Sequence, residues 1–459
     1  MTRPNVLVLA SDVLFQHFLS ADSLAKLDEV TSWTRSALRE DSPELRSQIA
    51  NADVLVTTWH SPFLTREMFG DEPRVKLIAH CGGEVKSRVA EEIFAFVARY
   101  DTKSLCNIAQ RLRDSCKSGP ITYSRKVFIN LINLCRDSCS YCTYKKEFSD
   151  FDLSMLTKDQ VLNIARLGKR LNCTEALIVT GERPEQKYPE FKEWLSKYNC
   201  STTAEYVEQI SESILEETGL LPHTNAGTLS YDELSLLKKS NVSLGCMLES
   251  SSERLTGNNM PHEFAPSKNP RARIRVLENA GKLKIPITTG LLVGIGETLE
   301  EIVESLMVIR GLNQKYGNIQ EIIIQNHVPK YNTKMRNSLP PTHDSFLLTI
   351  ALARIIMPHM NIQVPPNLSL KVYSTYIATG INDWGGISPL TIDFVNPESP
   401  WPEISDVKLA TEKQGHVLRG RLPIYPEFIM NKREFLPKNL WKYVLELSDT
   451  SGLVKEEDR

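Results

Sequence analysis

The sequence predicts an α/β protein whose larger part is a full or partial TIM barrel, preceded by a small open α/β segment of the flavodoxin-like kind. Two observations lead to this fold class. Strand and helix patterns alternate in at least six βα units after about residue 122, and such a series forms a parallel sheet that curls into a barrel. The 459 residues, 41% of them hydrophobic, are enough for a large core and more than one domain.

Residues 1–95 form the predicted N-terminal segment. Their short, β-branched apolar runs are typical of buried parallel strands. The strands are predicted at Val6–Leu9, Val54–Thr57 and Lys76–Ala79, and the helices at Ala21–Arg39 and Ser42–Ala50. The runs at 52–56 and 75–85 resemble the beginning of the substrate domain of D-2-hydroxyacid dehydrogenases. No G-x-G-x-x-G fingerprint follows, so we expect a truncated segment without catalytic activity.

The barrel elements follow in order from the cysteine-bearing region onward. The predicted strands are Lys126–Leu134, Glu175–Thr180, Leu221–Thr224, Ser243–Leu248, Ile287–Val293, Glu321–Gln325 and Asn361–Val364. The predicted helices are Thr157–Leu171, Glu205–Thr218, Ser230–Lys239, Pro270–Leu283, Leu299–Tyr316 and His343–Met357. In parallel barrels the chemistry lies at the carboxyl ends of the strands, which directs attention to the residues that follow each strand.

Three cysteines, Cys135, Cys139 and Cys142, follow the first barrel strand with the spacing C-x3-C-x2-C. Three thiolates on one loop can each bind one iron of a cubane 4Fe–4S cluster and leave the fourth iron open to a small molecule. Structural zinc and iron–sulfur sites usually take four ligands, and no partner ligand pair follows at a usual distance. Nothing marks the chain as secreted, which disfavours disulfides. The spacing resembles that of radical S-adenosylmethionine enzymes, with Tyr141 before the last cysteine as a further cofactor-binding residue.

That resemblance implies a binding site for S-adenosylmethionine on the following strand ends. Thr180, Gly181 and Glu182 would bind the methionine amino group, and Glu249 would hold the ribose hydroxyls. Gly290, Gly294 and Glu297 in the run GLLVGIGE would form the adenine side. From the residues alone, an ordinary strand-to-helix turn is the favoured interpretation of Gly181 and Glu182, and a solvated Glu249 beside an N-cap serine is an equal alternative to ribose binding.

Between about residues 101 and 430 the resemblance becomes narrower, and we expect 431–459 to be a C-terminal helical tail. The runs concerned are Ile121–Ile129, Cys135–Asp137, Gly219–Asn225, Met247–Ser250, Ile323–Asn326, Gln363–Leu368, Gly380–Pro389 and Arg421–Pro426. They resemble the CofG subunit family of 7,8-didemethyl-8-hydroxy-5-deazariboflavin (FO) synthase. The segment Met260–Pro270 is longer than that family's pattern leads us to expect.

The resemblance implies a reaction and its partners. In that family a CofH-type sister enzyme joins a tyrosine-derived hydroxybenzyl group to 5-amino-6-ribitylamino-uracil. The CofG-type enzyme then uses a 5′-deoxyadenosyl radical to close the central ring and expel ammonia, a carbon–nitrogen lyase step of coenzyme F-420 biosynthesis. A 4Fe–4S cluster, S-adenosylmethionine, the sister enzyme and a low-potential electron donor are therefore expected, while no catalytic side chain is assigned.

Polar side chains at the predicted barrel mouth are candidates for substrate binding, because a ribityl chain and a uracil present many donors and acceptors. They are His223, Asn225, Gln325, Asn326, Asn367, Asn382 and Asp383. Trp384 or Tyr123 is expected to stack on the aromatic system. The alternative is that several of these residues cap helices or hold loops.

Composition excludes several classes of function. The net charge is −2 and no basic block occurs, so we expect neither nucleic acid nor a membrane as partner. No apolar run approaches the roughly 18–20 residues of a membrane span. The nine cysteines, an odd number, favour a reducing, cytoplasmic location. The readings left open are a CofH-type or aminofutalosine-type radical enzyme and a non-catalytic fusion protein, and the run Asn382–Gly386 argues against the first two.

Overall fold

The computed structural model describes residues 3–58, 61–70, 73–81 and 101–455 of the chain. Two compact units are present, Met1–Ser104 and Leu105–Arg459, and each is described by itself below. As functional divisions, the segments predicted at 1–95, 101–430 and 431–459 remain predictions. In the described parts of both units, no helix is long and apolar enough to cross a membrane.

The described part of the first unit contains a four-stranded parallel sheet. Its strands are β1 Asn5–Leu9, β2 Ser32–Ser36, β3 Val54–Thr58 and β4 Leu77–Cys81, in the order β2-β1-β3-β4. Its helices are Asp12–Phe18, Ala21–Val30 and Pro43–Ala50. Leu7, Leu55 and Ile49 belong to a small core of buried apolar residues under the sheet. The last part of the dehydrogenase-like run, residues 82–85, lies outside the described residues.

The predicted helix Ala21–Arg39 is wrong in its second half. The helix ends at Val30, and Ser32–Ser36 forms β2, which pairs with β1 in parallel. Thr31 closes the helix, because its hydroxyl donates to the Leu27 carbonyl at 2.7 Å. The following Ser-Trp-Thr run contains residue types that favour strands, and pairing with the buried strand β1 stabilises its extended conformation. The helix-like spacing of apolar residues hid this strand in the sequence.

The second unit contains a closed barrel of eight parallel strands. They are β5 Ile121–Ile132, β6 Glu175–Thr180, β7 Leu221–Asn225, β8 Ser243–Gly245, β9 Ile287–Val293, β10 Ile319–Asn326, β11 Asn361–Gln363 and β12 Asp383–Ile387. Pairing between β12 and β5 closes the ring, and β13 Leu418–Arg421 pairs with β5 in addition. The fold class predicted from the sequence is therefore confirmed, and the barrel is full.

Helices surround the barrel and follow the strands in sequence. They are Thr102–Cys116, Lys158–Arg170, Pro189–Ser196, Thr203–Thr218, Tyr231–Leu237, Pro270–Lys282, Leu299–Tyr316, His343–Ile356, Ile404–Lys413, Pro426–Met430 and Trp441–Leu447. Capping boxes begin four of them, at Thr157, Thr202, Ser230 and Thr298, where the side chain three residues later bonds back to the cap. These four helices begin within two residues of the predicted positions.

The C-terminal part of the chain packs on the barrel. Phe428, Leu440 and Val444 are buried in a cluster that includes Leu221 at the start of β7. The predicted helical tail therefore contains the helix Trp441–Leu447 together with two 3-10 turns, and Leu440 and Val444 in it are buried in this cluster.

Candidate active site

A cavity of about 360 Å³ opens among the carboxyl ends of the barrel strands and extends into the barrel. It brings together most of the residues that the sequence singled out. Those lining it are Cys135, Cys139, Tyr141, Cys142, Thr180, Gly181, Glu182, His223, Asn225, Glu249, Gln325 and Asn326. They come from five different strand ends, so the closed barrel is what makes them neighbours.

The loop that carries the three cysteines is fixed through its backbone. The Arg136 amide donates to the Glu182 carbonyl at 2.8 Å, and the Ser138 amide donates to the Phe264 carbonyl at 2.8 Å. The Ser140 amide donates to the Pro261 carbonyl at 2.9 Å. Because the main chain supplies these contacts, the thiols themselves remain half-buried and face the cavity.

The surroundings of Cys135 fit an iron–sulfur cluster. Its Sγ accepts a hydrogen bond from the Glu182 amide at 3.2 Å, a contact that stabilises a thiolate ligand. Gly181 makes this approach possible, because a Cβ there would lie 2.0 Å from the Leu134 carbonyl oxygen and 2.8 Å from the Cys135 Cβ. The three-cysteine set would therefore hold three irons, with Gly181 and Glu182 as its immediate support.

Burial raises the pKa of the Cys135 thiol to about 11, and it raises the pKa of Cys139 above its ordinary value. Thiols of this kind bind metal only when the metal displaces their protons, so cluster loading releases protons here. Among the described residues, no three His, Cys, Asp or Glu side chains are arranged to hold a single metal ion. A cubane differs from such a site, because each thiolate binds a different iron.

The segment Met260–Pro270 supports the cysteine loop. It provides the two carbonyls that accept from Ser138 and Ser140. Ser267 donates to the Asp137 carboxylate through its amide at 3.1 Å and through its hydroxyl. The segment therefore lies next to the predicted cluster, and its additional length relative to the family stays a prediction.

Glu249 is the centre of a buried ionic group at the cavity wall. Its carboxylate accepts from Lys268 Nζ and from the Tyr141 hydroxyl, and His262 Nε2 lies 3.4 Å away. Burial raises the pKa of Glu249, but Lys268 and His262 outweigh it and hold the pKa well below its ordinary value. The backbone of Glu249 is left-handed, with φ at +64°. Such strain in a non-glycine residue is typical of functional positions.

Thr180 and Glu182 differ in how much of their bonding capacity the protein uses. Glu182 accepts from the Thr228 amide at 2.9 Å and from the Thr228 hydroxyl, so it ties the second strand end to the third. The Thr180 hydroxyl is buried with no hydrogen-bond partner among the described residues. Of the two, Thr180 retains the polar atom that a bound ligand could engage.

Gly290, Gly294 and Glu297 lie outside the cavity lining. A Cβ at Gly290 would lie 2.0 Å from the Ile323 carbonyl oxygen, so this glycine allows β9 and β10 to approach. Glu297 accepts from the amides of Gly294 and Ile295 at 2.6 and 2.9 Å and so holds its own turn. Their neighbours Leu291 and Leu292 line the cavity instead. Binding of the cofactor by the three residues stays a prediction.

The predicted substrate residues divide into two groups. His223, Asn225, Gln325 and Asn326 line the cavity, whereas Asn367, Asn382 and Asp383 lie outside its lining. The side-chain amide of Asn367 donates to Asp393 at 3.0 Å and to the Ser399 carbonyl at 3.2 Å, which holds the loop after β12.

Asn382 and Asp383 are bonded within the barrel wall. The Asn382 side-chain oxygen accepts from Arg354 at 2.8 Å and from the Ile362 amide at 2.9 Å. Asp383 is fully buried and accepts from Arg421 through Nε at 2.7 Å and through a terminal guanidinium nitrogen at 3.0 Å. The Asn382 side chain therefore ties the start of β12 to β11 and the helix before it, whereas Asp383 serves the closure of the ring beside β5, where it also accepts from Thr122.

The two aromatic residues expected to stack on the substrate lie elsewhere. Trp384 is fully buried, and its indole N–H donates to the Thr411 hydroxyl at 3.0 Å. Tyr123 packs against the main apolar core. That expectation was wrong because successive residues of a strand face opposite sides, and Trp384 faces the helices. The aromatic side chains that line the cavity are instead Phe128, Tyr141, Tyr144 and Trp401.

Sequence reasoning missed several charged residues inside the barrel. Those lining the cavity are Lys126, Glu175, Lys268, Arg273, Glu321 and Arg421. Three of these residues could have been found from their positions within the buried strands. Lys126, Glu175 and Glu321 each begin an inward-facing series along a buried strand, where a charged side chain is unusual.

Comparison with known proteins agrees with this site. The family model described as Radical SAM superfamily matches residues 129–309, which include the three cysteines. The 7,8-didemethyl-8-hydroxy-5-deazariboflavin synthase of Methanopyrus kandleri is 43% identical over 73% of this chain and 100% of its own length. The synthase of the same name from Methanocaldococcus jannaschii is 42% identical over 80% of this chain and 99% of its own length. The comparisons do not bear out the resemblance of residues 1–95 to dehydrogenases.

Solved structures agree on the fold. The FeFe-hydrogenase maturase HydG from Carboxydothermus hydrogenoformans superimposes with a TM-score of 0.60 at 19% identity, over 74% of this chain and 80% of its own. Methylornithine synthase (PylB) gives a TM-score of 0.56 at 16% identity, over 72% and 93% of the two chains. A closed parallel barrel with three cysteines at its mouth thus defines a radical S-adenosylmethionine enzyme. Within that class, the chain belongs to the family of 7,8-didemethyl-8-hydroxy-5-deazariboflavin synthases.

Proposed function

We propose that this enzyme closes the central ring of the deazaflavin chromophore. It converts the tyrosine-derived hydroxybenzyl adduct of 5-amino-6-ribitylamino-uracil into 7,8-didemethyl-8-hydroxy-5-deazariboflavin and releases ammonia, as a carbon–nitrogen lyase in coenzyme F-420 biosynthesis. The observation that carries the proposal is 43% identity across the full length of a relative with that synthase name.

The residues of the cavity support the proposal. When bound, the cluster and S-adenosylmethionine supply a 5′-deoxyadenosyl radical for hydrogen abstraction. Cys135, Cys139 and Cys142 would hold the irons, and the ionised Glu249 carboxylate offers acceptors to ribose hydroxyls. Phe128 gives an aromatic wall on which a conjugated substrate can pack.

A sister enzyme is part of the proposal. The chain contains one C-x3-C-x2-C set, whereas making the chromophore from tyrosine and the diaminouracil takes two radical events. The FO synthase of Streptomyces avermitilis is 45% identical to this chain, which covers only 42% of that protein. The longer protein therefore has room for a second catalytic part. We propose that a separate CofH-type enzyme supplies the substrate here, and that a low-potential electron donor reduces the cluster.

An anaerobic assay tests the proposal. Reconstituted enzyme, reductant, S-adenosylmethionine and the isolated hydroxybenzyl adduct should give fluorescent deazaflavin and ammonia in equal amounts. The same enzyme with tyrosine and 5-amino-6-ribitylamino-uracil should give none until the sister enzyme is added. Deazaflavin from the simple precursors without the sister would replace the proposal with a bifunctional enzyme.

A further inference from the structure

The cavity changes character along the barrel axis. On β5, β6 and β10 the inward residues follow one another two positions apart, and each series begins with a charge and continues with an apolar side chain. The pairs are Lys126 and Phe128, Glu175 and Leu177, and Glu321 and Ile323. Strand register places Lys126 opposite Glu175 and Phe128 opposite Leu177. The cavity therefore has a polar mouth with the cysteines, an apolar belt and a polar floor.

The floor contains hydrogen-bonding groups that the protein leaves unused. Lys126 is buried, and no described residue accepts a hydrogen bond from its Nζ. The Asn225 Oδ1 atom is buried with no hydrogen-bond partner among the described residues. No described residue bonds the side-chain amide of Gln363, which is also buried. Buried polar groups are usually satisfied, so donors and acceptors gathered in one cavity indicate a polar ligand.

The floor also holds His223 in a defined tautomer. Its Nδ1 lies 2.6 Å from the Ser243 hydroxyl, which itself donates to the Pro423 carbonyl at 2.6 Å. The Ser243 oxygen therefore accepts from Nδ1–H, and Nε2 is left as an acceptor that faces the Asn225 side chain. Burial lowers the pKa of His223 to about 4, although Glu175 opposes the shift, so the ring is neutral at pH 7.

Charges around Lys126 come from several elements. Glu175 on β6, Glu321 on β10 and Asp393 after β12 favour its charged form, whereas Arg421 on β13 opposes it. The ammonium lies 4.7 Å from the centre of the Trp401 ring, a cation–π contact at the border of the apolar belt. Burial is the largest influence and lowers the pKa of Lys126.

We propose that this floor, defined by Lys126, Glu175, His223, Asn225 and Gln363, holds the ribityl chain of the substrate. The proposal rests on the proposed function. Radical chemistry takes place at the mouth beside the cysteines, so the part of the substrate farthest from the reacting rings lies on the floor. A saturated polyol is that part, while the conjugated rings match the apolar belt.

The hydrogen-bonding pattern favours a polyol over a phenol. Each hydroxyl donates once and accepts twice, so a chain of hydroxyls requires donors and acceptors in turn. The floor offers donors at Lys126 and Gln363 and acceptors at Glu175, Asn225 and His223 Nε2. A single phenolic oxygen would leave most of these groups unpaired, which is costly in a buried site.

Substrate binding to the cluster-loaded enzyme, with S-adenosylmethionine and without reductant, tests the assignment. Lys126→Met should weaken binding of the hydroxybenzyl adduct by about 10- to 100-fold, the range for a lost hydrogen bond from a charged donor. An analogue with a pentyl chain in place of ribityl should bind wild type and Lys126→Met equally. Lys238→Met is the matched control, because that partly buried lysine donates to the Leu283 carbonyl outside the cavity.

Several outcomes would overturn the assignment. If Lys126→Met weakened adduct and pentyl analogue alike, Lys126 would serve the rings or the fold. Unchanged binding of the adduct would exclude the floor as a subsite. Asn225→Ala, which removes atoms without overpacking, provides the same comparison should Lys126→Met fold poorly. Failure of the proposed function is seen separately, as absence of deazaflavin from wild type and adduct under reducing conditions.

Discussion

The cysteine loop and the run Asn382–Gly386 are both distinctive in sequence, yet the structure uses them in opposite ways. The loop is held by its backbone and turns its side chains toward the cavity. In the second run, the side chains of Asn382 and Asp383 are consumed by partners in the barrel wall. Gly385 there has φ at +74°, and its amide donates to Asp383 at 2.6 Å.

The difference shows that polar side chains in a distinctive run can be engaged by the protein itself, as Asn382 and Asp383 are, while Gly386 of the same run lines the cavity. A closed barrel must join its last strand to its first, and here an Asp–Arg pair inside the ring contributes to that junction. Removing Arg421 would leave Asp383 without a cationic partner, and removing Asp383 would leave Arg421 with Glu321 as its one remaining carboxylate partner among the described residues. The two runs differ in whether their side chains still have groups free to bind a ligand. The thiols of the cysteine loop do, whereas the side chains of Asn382 and Asp383 are already bonded within the protein.

The largest expected effect is at the cysteine loop. Cys139→Ala removes one of three iron ligands, and we expect iron content to fall and 5′-deoxyadenosine formation to drop by more than about 100-fold. Iron analysis and chromatography of the anaerobic reaction measure both. Cys173→Ala and Cys200→Ala are the controls, because these buried thiols lie in the apolar core away from the loop. Near-normal cleavage by Cys139→Ala would refute the cluster assignment.

The closing strand should respond in stability. Asp383→Asn leaves Arg421 without one of its two carboxylate partners, and we expect the free energy of unfolding to fall by about 3–5 kcal/mol. Urea unfolding of the cluster-free protein measures the loss. Folded Asp383→Asn should still bind the adduct normally, so selective loss of substrate binding at unchanged stability would place Asp383 in the site after all.

Glu249 combines features of both regions, since it is paired and also lines the cavity. Glu249→Gln removes the charge that faces Lys268 and His262, and affinity for S-adenosylmethionine should fall by about 10-fold. Equilibrium binding on the cluster-loaded enzyme measures it. Glu253→Gln, at an exposed pair with Arg271, should leave affinity unchanged. Equal affinity in Glu249→Gln and wild type would make Glu249 a purely structural residue.

Much of the fold was readable from the sequence because the barrel strands are short apolar runs between well-capped helices. Ile287–Val293 and Glu175–Thr180 have the predicted bounds. β12 was missed because Asp-Trp-Gly-Gly-Ile has little strand propensity of its own, and pairing with β5 and β11 creates the strand. Propensity and periodicity are local, whereas closure of a barrel is not.

Site residues could be predicted where their function depends on their spacing along the sequence. They could not be predicted where their function depends on which side of a strand faces the cavity. The cysteine motif placed the mouth of the cavity correctly. Lys126 was overlooked because it reads as a polar residue near a strand start, and only register against Glu175 shows that it faces inward. Asn382 was overvalued for the converse reason, since nothing in a single sequence shows that Arg354 already bonds it.

The last prediction concerns pH and tests whether the floor is as dry as its contacts indicate. Burial lowers the folded-state pKa of His223 to about 4, against 6.5 for an unperturbed histidine. Between about pH 6.5 and pH 4, His223 therefore binds a proton in the unfolded chain but not in the folded barrel. The contribution of His223 to stability is complete above pH 6.5 and falls by about 3 kcal/mol as the pH approaches 4.

Unfolding free energies of wild type should thus decline more steeply between pH 6.5 and 4.5 than those of His223→Asn. The exposed His359 supplies the control variant, His359→Asn, which should keep the wild-type slope. Equal slopes in wild type and His223→Asn would mean that His223 has an ordinary pKa in the folded protein. Water would then reach the floor of the cavity, and the floor would differ less from the open mouth in its exposure to solvent than the contacts indicate.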